Sequence, residues 1–136
     1  MTTQDNKALV TRFFETVFNQ HDFSAANQFL SEDYIRHTAG TTGREPFKAF
    51  FGQLFGGLSN YHVSINQLIA EGDRVVVYNT IEGSHTGPLM GHAPTNRPIR
   101  YDAVDIYRVE NERLTEHWSV VDLASLLRQI SVPTDK

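Results

Sequence analysis

Apolar residues in the first part of the chain recur with the period of an α-helix. Between residues 6 and 19 they stand at intervals of one and four, which places them on one broad helix face. A short helix from about Ser24 and a longer one over residues 43–56 follow the same pattern. Thr42 and Glu45 have the spacing of a capping box for the third helix. The pattern therefore predicts three N-terminal helices.

The second part of the chain changes to runs rich in β-branched and aromatic residues. Two tight polar connections join these runs in pairs, so we expect an antiparallel meander. The segment 87–98 is punctuated by Gly and Pro and is long enough to rim a pocket. Helices followed by strands indicate an α+β fold with a twisted, bent sheet. The predicted strands cover residues 61–70, 74–84, 99–110 and 113–121, and a short helix covers 124–130.

Length and composition are those of one globular domain. The chain has 136 residues, 40% hydrophobic and 21% charged, so we predict a single domain over residues 1–136. It has no cysteine, which excludes disulfides and thiolate chemistry. The formal charge of −4 forms no basic stripe, so we expect no nucleic-acid partner. Without a long apolar run or a secretory signal, we expect no membrane partner and a cytoplasmic location.

Alternation along the last two strands separates residues that face a pocket from residues that face away. Asp105 stands between Val104 and Ile106 in mid-strand, and is the carboxylate that we expect to be partly buried. His117 on the next strand has a register that brings it near Asp105 across the hairpin. An Asp–His pair serves proton transfer in enzymes, or it is a structural hydrogen bond. These two residues alone leave both interpretations open.

Other polar residues are weaker candidates. Asp122 stands where the last strand ends, and it is either a second candidate base or the N-cap of the final helix. His37 follows the short extended segment 34–36, and His85 ends the second strand, so both are placed near the pocket rim. The histidines lack metal-ligand spacing, and we predict no metal site. Serine-nucleophile, phosphate-loop and dinucleotide motifs are also missing, so we predict no cofactor.

Several short stretches, in their order and spacing, resemble the SnoaL-like group of the nuclear-transport-factor-2-like (cystatin-like) superfamily, which includes small polyketide (ester) cyclases. The resemblance extends over nearly the whole chain. The stretches that carry it are Leu9-Val10-Thr11-Arg12-Phe13-Phe14, Phe18-Asn19-Gln20, Tyr34-Ile35-Arg36-His37, Gly43-Arg44-Glu45-Pro46-Phe47, Ala70-Glu71-Gly72-Asp73-Arg74-Val75-Val76-Val77, Gly83-Ser84-His85-Thr86-Gly87 and Glu116-His117-Trp118-Ser119-Val120-Val121-Asp122.

The resemblance implies a cone-shaped half-barrel in which a curved antiparallel (mixed) sheet holds a ligand against the N-terminal helices. It also implies a homodimer through the outer sheet face. In the cyclases, an Asp on the late strands takes a proton so that an intramolecular aldol reaction closes a ring, without metal or cofactor. Relatives often have Asp in the third place of the His-Trp-Asp stretch, where this chain has Ser119. A cyclase mechanism here would therefore need Asp105 or Asp122.

Three functions remain open at this point. The first is a cofactor-free cyclase or isomerase for a small apolar or polyketide-like ligand, with Asp105 or Asp122 as base and His117 orienting it. The second is a binding module that has lost the acid, as Ser119 would allow. The third is hydrolysis by an activated water, as in limonene epoxide hydrolase, which shares the cone with ketosteroid isomerase. The predicted ligand contacts are Tyr34, His37, Asn79, His85, Tyr107, Trp118 and Ser119.

Overall fold

A computed structural model describes residues 2–131. Helices precede and follow a long β-meander, as the periodicity predicts, and the α+β class is confirmed. A π-helical turn at Phe14–Asn19 extends the first helix, and a 3₁₀ turn at Phe23–Ala25 precedes the second. The elements are α1 Thr3–Phe13, α2 Ala26–Phe29, β1 Leu30–Arg36, β2 Thr41–Thr42, α3 Arg44–Gly57, β3 Leu58–Glu71, β4 Arg74–His85, β5 Pro98–Glu110, β6 Arg113–Val121 and α4 Leu123–Ile130.

The strands form a six-stranded sheet in the order β2-β1-β6-β5-β4-β3. Strands β3 to β6 pair antiparallel in sequence, which confirms the predicted meander. Strand β1 pairs parallel with β6, so the sheet is mixed. The pattern predicted only the end of β1 as extended and did not predict β2. Register shifts within β3 and between β5 and β6 interrupt the ladders and bend the sheet around the helices.

The hydrophobic core fills the space between the concave sheet face and the helices. Helix α1 contacts β3 and β4, and α3 contacts β1 and β3. Phe13 lies at the centre of this core, where five aromatic rings surround it within about 6 Å: Phe14, Phe18, Phe29, Phe47 and Tyr107. The wide π turn after Phe13 directs Phe14 and Phe18 toward the sheet. Such turns are frequent at functional sites.

Helix capping differs from the prediction at the start of α3. The predicted capping box at Thr42 and Glu45 is wrong, because α3 begins after Gly43, whose φ of 100° only glycine adopts easily, and no side chain caps it. A capping box instead starts α1, where Thr2 accepts from the Asp5 N–H and Asp5 accepts from the Thr2 N–H.

Among residues 2–131, no helix combines the length and the apolar composition that a membrane span requires.

Candidate active site

A cavity of about 330 Å³ lies between the helices and the concave sheet face. Its helical wall is aromatic and aliphatic, with Phe14, Phe18, Phe47, Phe51 and Leu54. Its sheet wall is formed by alternate residues of β4, β5 and β6, as period-two alternation requires. On β5 and β6 these residues are Tyr101, Ala103, Asp105, Tyr107, His117, Ser119 and Val121.

Exposed apolar side chains surround the opening of this cavity. Six large hydrophobic residues are exposed in the described chain, and four of them also line the cavity: Phe50, Met90, Val121 and Leu123. Met90 comes from the connection between β4 and β5, which the sequence predicted as a rim. An apolar opening admits an apolar molecule without removing polar groups from water.

Asp105 is the carboxylate on the cavity wall. Its Oδ1 accepts a hydrogen bond from His117 Nε2 at 2.7 Å, and its Oδ2 accepts one from Asn79 Nδ2 at 2.9 Å. Both partners lie diagonally across the sheet, because Asp105 faces Val77 on β4 and Ser119 on β6. The Asp105 side chain is 16% exposed. Two donors therefore hold the carboxylate in place while part of it still reaches the cavity.

His117 is held in one orientation by this contact. Its Nε2 donates to the Asp105 carboxylate, and Nδ1 lies on the opposite side of the ring. Nδ1 is buried and has no hydrogen-bond partner in the part of the chain that the structure describes. The ring packs against Tyr107 with 4.9 Å between centroids. His117 is thus positioned to orient Asp105 rather than to reach solvent.

Four tyrosines bring their rings to the same cavity: Tyr34, Tyr61, Tyr101 and Tyr107. Burial raises the pKa of all four hydroxyls, and the negative charge of Asp105 raises it further. For Tyr34, the positive charge of Arg36 acts in the opposite direction. At neutral pH the four hydroxyls therefore keep their protons and are hydrogen-bond donors.

Two predicted ligand contacts lie on the convex sheet face instead. His37 Nε2 is 2.8 Å from Glu116 Oε1, and the His37 ring stacks on Trp118 with 4.6 Å between centroids. Arg74 covers Trp118, with Cζ 4.7 Å from the ring centroid. The reason is alternation itself: His37 and Trp118 directly follow Arg36 and His117, which line the cavity, so their side chains point to the opposite face.

His85 and Asp122 also lie apart from the cavity lining. His85 is fully buried, and its Nδ1 accepts from the Thr95 N–H at 3.2 Å, so it ties the two ends of the β4–β5 connection together. Asp122 is the N-cap of α4, and its Oδ1 accepts from the Ser125 N–H at 3.1 Å. Of the two interpretations of Asp122, the structure supports capping.

Sequence reasoning missed Arg36, Tyr61 and Tyr101 as lining residues. Alternation contained the signal for two of them. Arg36 stands two residues after Tyr34 on β1, and Tyr101 has the parity of Asp105 on β5. Tyr61 lies within the β3 register shift between Ser59 and His62, where simple alternation does not hold.

Comparison with known proteins places this geometry in a family. The family model described as SnoaL-like polyketide cyclase matches residues 8–130. The chain belongs to the SnoaL-like polyketide cyclase family. This SnoaL-like protein is 24% identical over 123 residues to the nogalonic acid methyl ester cyclase of Streptomyces nogalater, a match that covers 87% of this chain and 92% of that protein.

Solved structures show the same fold at low identity. TsrD from Streptomyces laurentii superposes with a TM-score of 0.87 at 23% identity, covering 96% of this chain and 98% of that one. A SnoaL-like polyketide cyclase from Agrobacterium tumefaciens superposes with a TM-score of 0.78 at 15% identity, covering 96% of this chain and 100% of that one. The helix-lined half-barrel is therefore the SnoaL-like fold.

Ser119 lies directly opposite Asp105 in the β5–β6 ladder. Side chains that face each other across two strands have Cβ atoms about 5 Å apart. Both residues line the cavity. In this SnoaL-like protein, the carboxylate of this part of the wall is thus on β5, and a serine faces it from β6.

Proposed function

We propose that the protein closes a ring in a polyketide-like ketone or ester by acid/base proton transfer, with Asp105 as the base. The observation that carries this proposal is the Asp105 carboxylate, held by His117 and Asn79 and partly exposed to a cavity with a largely apolar wall. The two donors keep the carboxylate oriented, and its exposed part can take a proton from a molecule in the cavity.

The reaction begins with proton transfer from carbon to Asp105. The carboxylate takes a proton from a carbon beside a carbonyl group, and the electron pair of the broken C–H bond moves into the carbonyl to form an enolate. The enolate carbon then attacks a second carbonyl of the same molecule, which forms the C–C bond that closes the ring. The resulting alkoxide takes the proton back from Asp105, so no proton or electron is gained or lost.

Hydroxyl donors on the cavity wall support the enolate. Because their pKa is raised, Tyr34 and Tyr107 stay protonated and can donate to an oxygen on which negative charge develops. Removing one such preorganised donor from an enzyme costs on the order of 10²- to 10³-fold in rate. These hydroxyls thus stabilise the enolate oxygen at the stage when Asp105 takes the proton and the negative charge moves to the substrate.

The substrate class follows from the cavity and from the relatives. The aromatic helical wall and the apolar rim suit a planar molecule with few charges. The name of the Streptomyces nogalater relative gives nogalonic acid methyl ester as the molecule that it cyclises. We therefore take nogalonic acid methyl ester as the first substrate to test.

The test compares two identical substitutions on opposite faces of β5. Asp105→Asn removes the base without changing its size, and Asp102→Asn makes the same change on the convex face, where Asp102 accepts from Tyr78 and Thr80. We expect Asp105→Asn to slow ring closure by roughly 10²- to 10⁴-fold, the usual contribution of a positioned base. Asp102→Asn should keep the wild-type rate. Chromatography of the product measures both.

Ser119 favours one other function, a binding module without catalysis. In that case nogalonic acid methyl ester would bind, and no product would form with any variant. Exchange of the acidic C–H hydrogen of this ester for deuterium in D₂O, followed by NMR, distinguishes the two functions, because it reports the proton transfer that precedes ring closure. An enzyme exchanges this hydrogen and Asp105→Asn slows the exchange, whereas a binding module exchanges it no faster than buffer.

A further inference from the structure

Arg36 is a buried cation on the cavity wall that the proposed proton transfer does not use. Its side chain lines the cavity, and the residue is 7% exposed. The guanidinium lies over two phenylalanine rings of α3, with Cζ 4.7 Å from the Phe50 centroid and 5.6 Å from the Phe51 centroid. It is the one buried arginine of residues 2–131.

The Arg36 side chain makes no ion pair or hydrogen bond with any residue from 2 to 131. The other sheet arginines differ: Arg108 binds three carboxylates and Arg100 binds Glu82. A buried guanidinium needs hydrogen-bond acceptors for its five donors, and stacking on two rings satisfies none of them. The donors of Arg36 are therefore available to a group inside the cavity.

The position of Arg36 relates it to the base. Arg36 on β1 is the register partner of His117 on β6, and His117 binds Asp105. Arg36 and Asp105 are not ion-paired, yet both charges act on the Tyr34 hydroxyl from within the same cavity. The wall thus presents a carboxylate and a separate cation to one bound molecule.

We infer that Arg36 forms a subsite for an ionised oxygen of the ligand. The planar guanidinium fork matches two oxygens of a carboxylate, or the single oxygen of a phenolate or enolate, in a way that a lysine does not. Only local charge can create such a preference, because the formal charge of the whole chain is −4 and repels anions. The inference rests on the proposed function only in taking this cavity as the ligand site.

Binding of matched aromatic probes by calorimetry tests the subsite. Naphthalene-2-carboxylate and its methyl ester differ in one negative charge, and 2,4-dinitro-1-naphtholate represents an enolate or phenolate oxygen. Arg36→Gln removes the charge, Arg36→Lys keeps the charge without the fork, and Arg100→Gln makes the matched change on the convex face. The probes contain no ring to close, so the measurement does not depend on Asp105 acting as a base.

We expect Arg36→Gln to weaken binding of at least one anionic probe by on the order of 10- to 100-fold, as for loss of a charged hydrogen bond. The methyl ester should bind within about threefold of wild type, Arg36→Lys should be intermediate, and Arg100→Gln should have no effect. The anionic probe that loses affinity in Arg36→Gln shows whether the subsite binds a carboxylate or an enolate-type oxygen. Unchanged affinity for both anions in Arg36→Gln would overturn the inference.

Wild-type protein supplies a second measurement if Arg36→Gln fails to fold. At least one of the two anions, naphthalene-2-carboxylate or 2,4-dinitro-1-naphtholate, should bind at least about tenfold more tightly than the uncharged methyl ester, and this ratio should persist at high salt because Arg36 is buried. Affinities for both anions no higher than that for the ester would again overturn the subsite. If Asp105→Asn did not slow ring closure but the protein still preferred the anion, the proposed function would be refuted and the Arg36 subsite would remain supported.

Discussion

The two faces of the sheet use polar residues in different ways. On the convex face, charges neutralise one another: Arg108 binds Asp73 at 2.9 Å, Glu110 at 3.2 Å and Glu116 at 2.7 Å, and Glu116 also binds His37. On the concave face, Arg36 is unpaired within residues 2–131, and the Asp105 carboxylate still reaches the cavity. The sheet is the same, but the concave face places its two charged side chains in an apolar cavity, whereas the convex face pairs its charges at the surface.

This difference shows which polar groups are candidates for chemistry. Paired surface charges add little to stability, and water screens their interaction with any other group. A carboxylate and a cation inside an apolar cavity interact far more strongly with a bound molecule, because little water screens them. The concave face therefore carries the proposed chemistry although the convex face has more charged residues.

After the loss of Asp105 itself, the largest expected effect in the comparison concerns the two histidines. His117→Leu removes the donor to Asp105 Oδ1, and we expect ring closure to slow by about 10-fold or more, a part of what a positioned base contributes. His117→Gln can place an amide N–H near the same oxygen and should recover most of the rate. Because His117 acts through Asp105, the pH profile of kcat should change in His117→Leu and return toward wild type in His117→Gln.

His37→Leu is the matched change on the convex face. Its partner Glu116 keeps the hydrogen bond from Arg108, so we expect the wild-type rate and the wild-type pH profile. A rate as low as that of His117→Leu would show that the two faces do not differ in function. Thermal melting of each variant checks that it is folded.

A smaller effect is expected on stability in acid. The hydrogen bonds from Arg108 and His37 lower the pKa of Glu116 below its ordinary value of 4.5. The ionised Glu116 therefore stabilises the fold above about pH 4.5, and this contribution is lost as the pH falls through the lowered folded-state pKa. Glu116→Gln should melt slightly earlier than wild type at pH 7, and the gap should narrow toward pH 3. A difference in melting temperature that grows toward pH 3 would contradict a stabilising role of the ionised Glu116.

Much of the cavity wall could be predicted from alternation. The parity of β5 and β6 separates Asp105, Tyr107, His117 and Ser119 from their neighbours, and hairpin connections at both ends of the meander set the register. The same rule would have placed Trp118 on the other face. Its inclusion among the ligand contacts came from the family stretch rather than from the strand.

Other features depend on tertiary structure that short patterns do not contain. His85 has the parity of Asn79, but the β4–β5 connection folds over it and buries it through Thr95. Alternation gives Arg36 the parity of Tyr34, but the parallel pairing of β1 with β6, a contact between distant parts of the chain, is what brings this strand to the cavity wall. The homodimer through the convex face stays a prediction.

The most direct test moves the carboxylate across the ladder. Asp105→Ser should slow exchange of the substrate C–H hydrogen in D₂O by roughly 10²- to 10⁴-fold. Adding Ser119→Asp to that variant places a carboxylate on the facing residue of β6, beside His117 on the same strand, and should recover at least about tenfold of the lost rate because the two Cβ atoms are about 5 Å apart. Exchange at the wild-type rate in Asp105→Ser alone would contradict the claim that this wall of the cavity supplies the base.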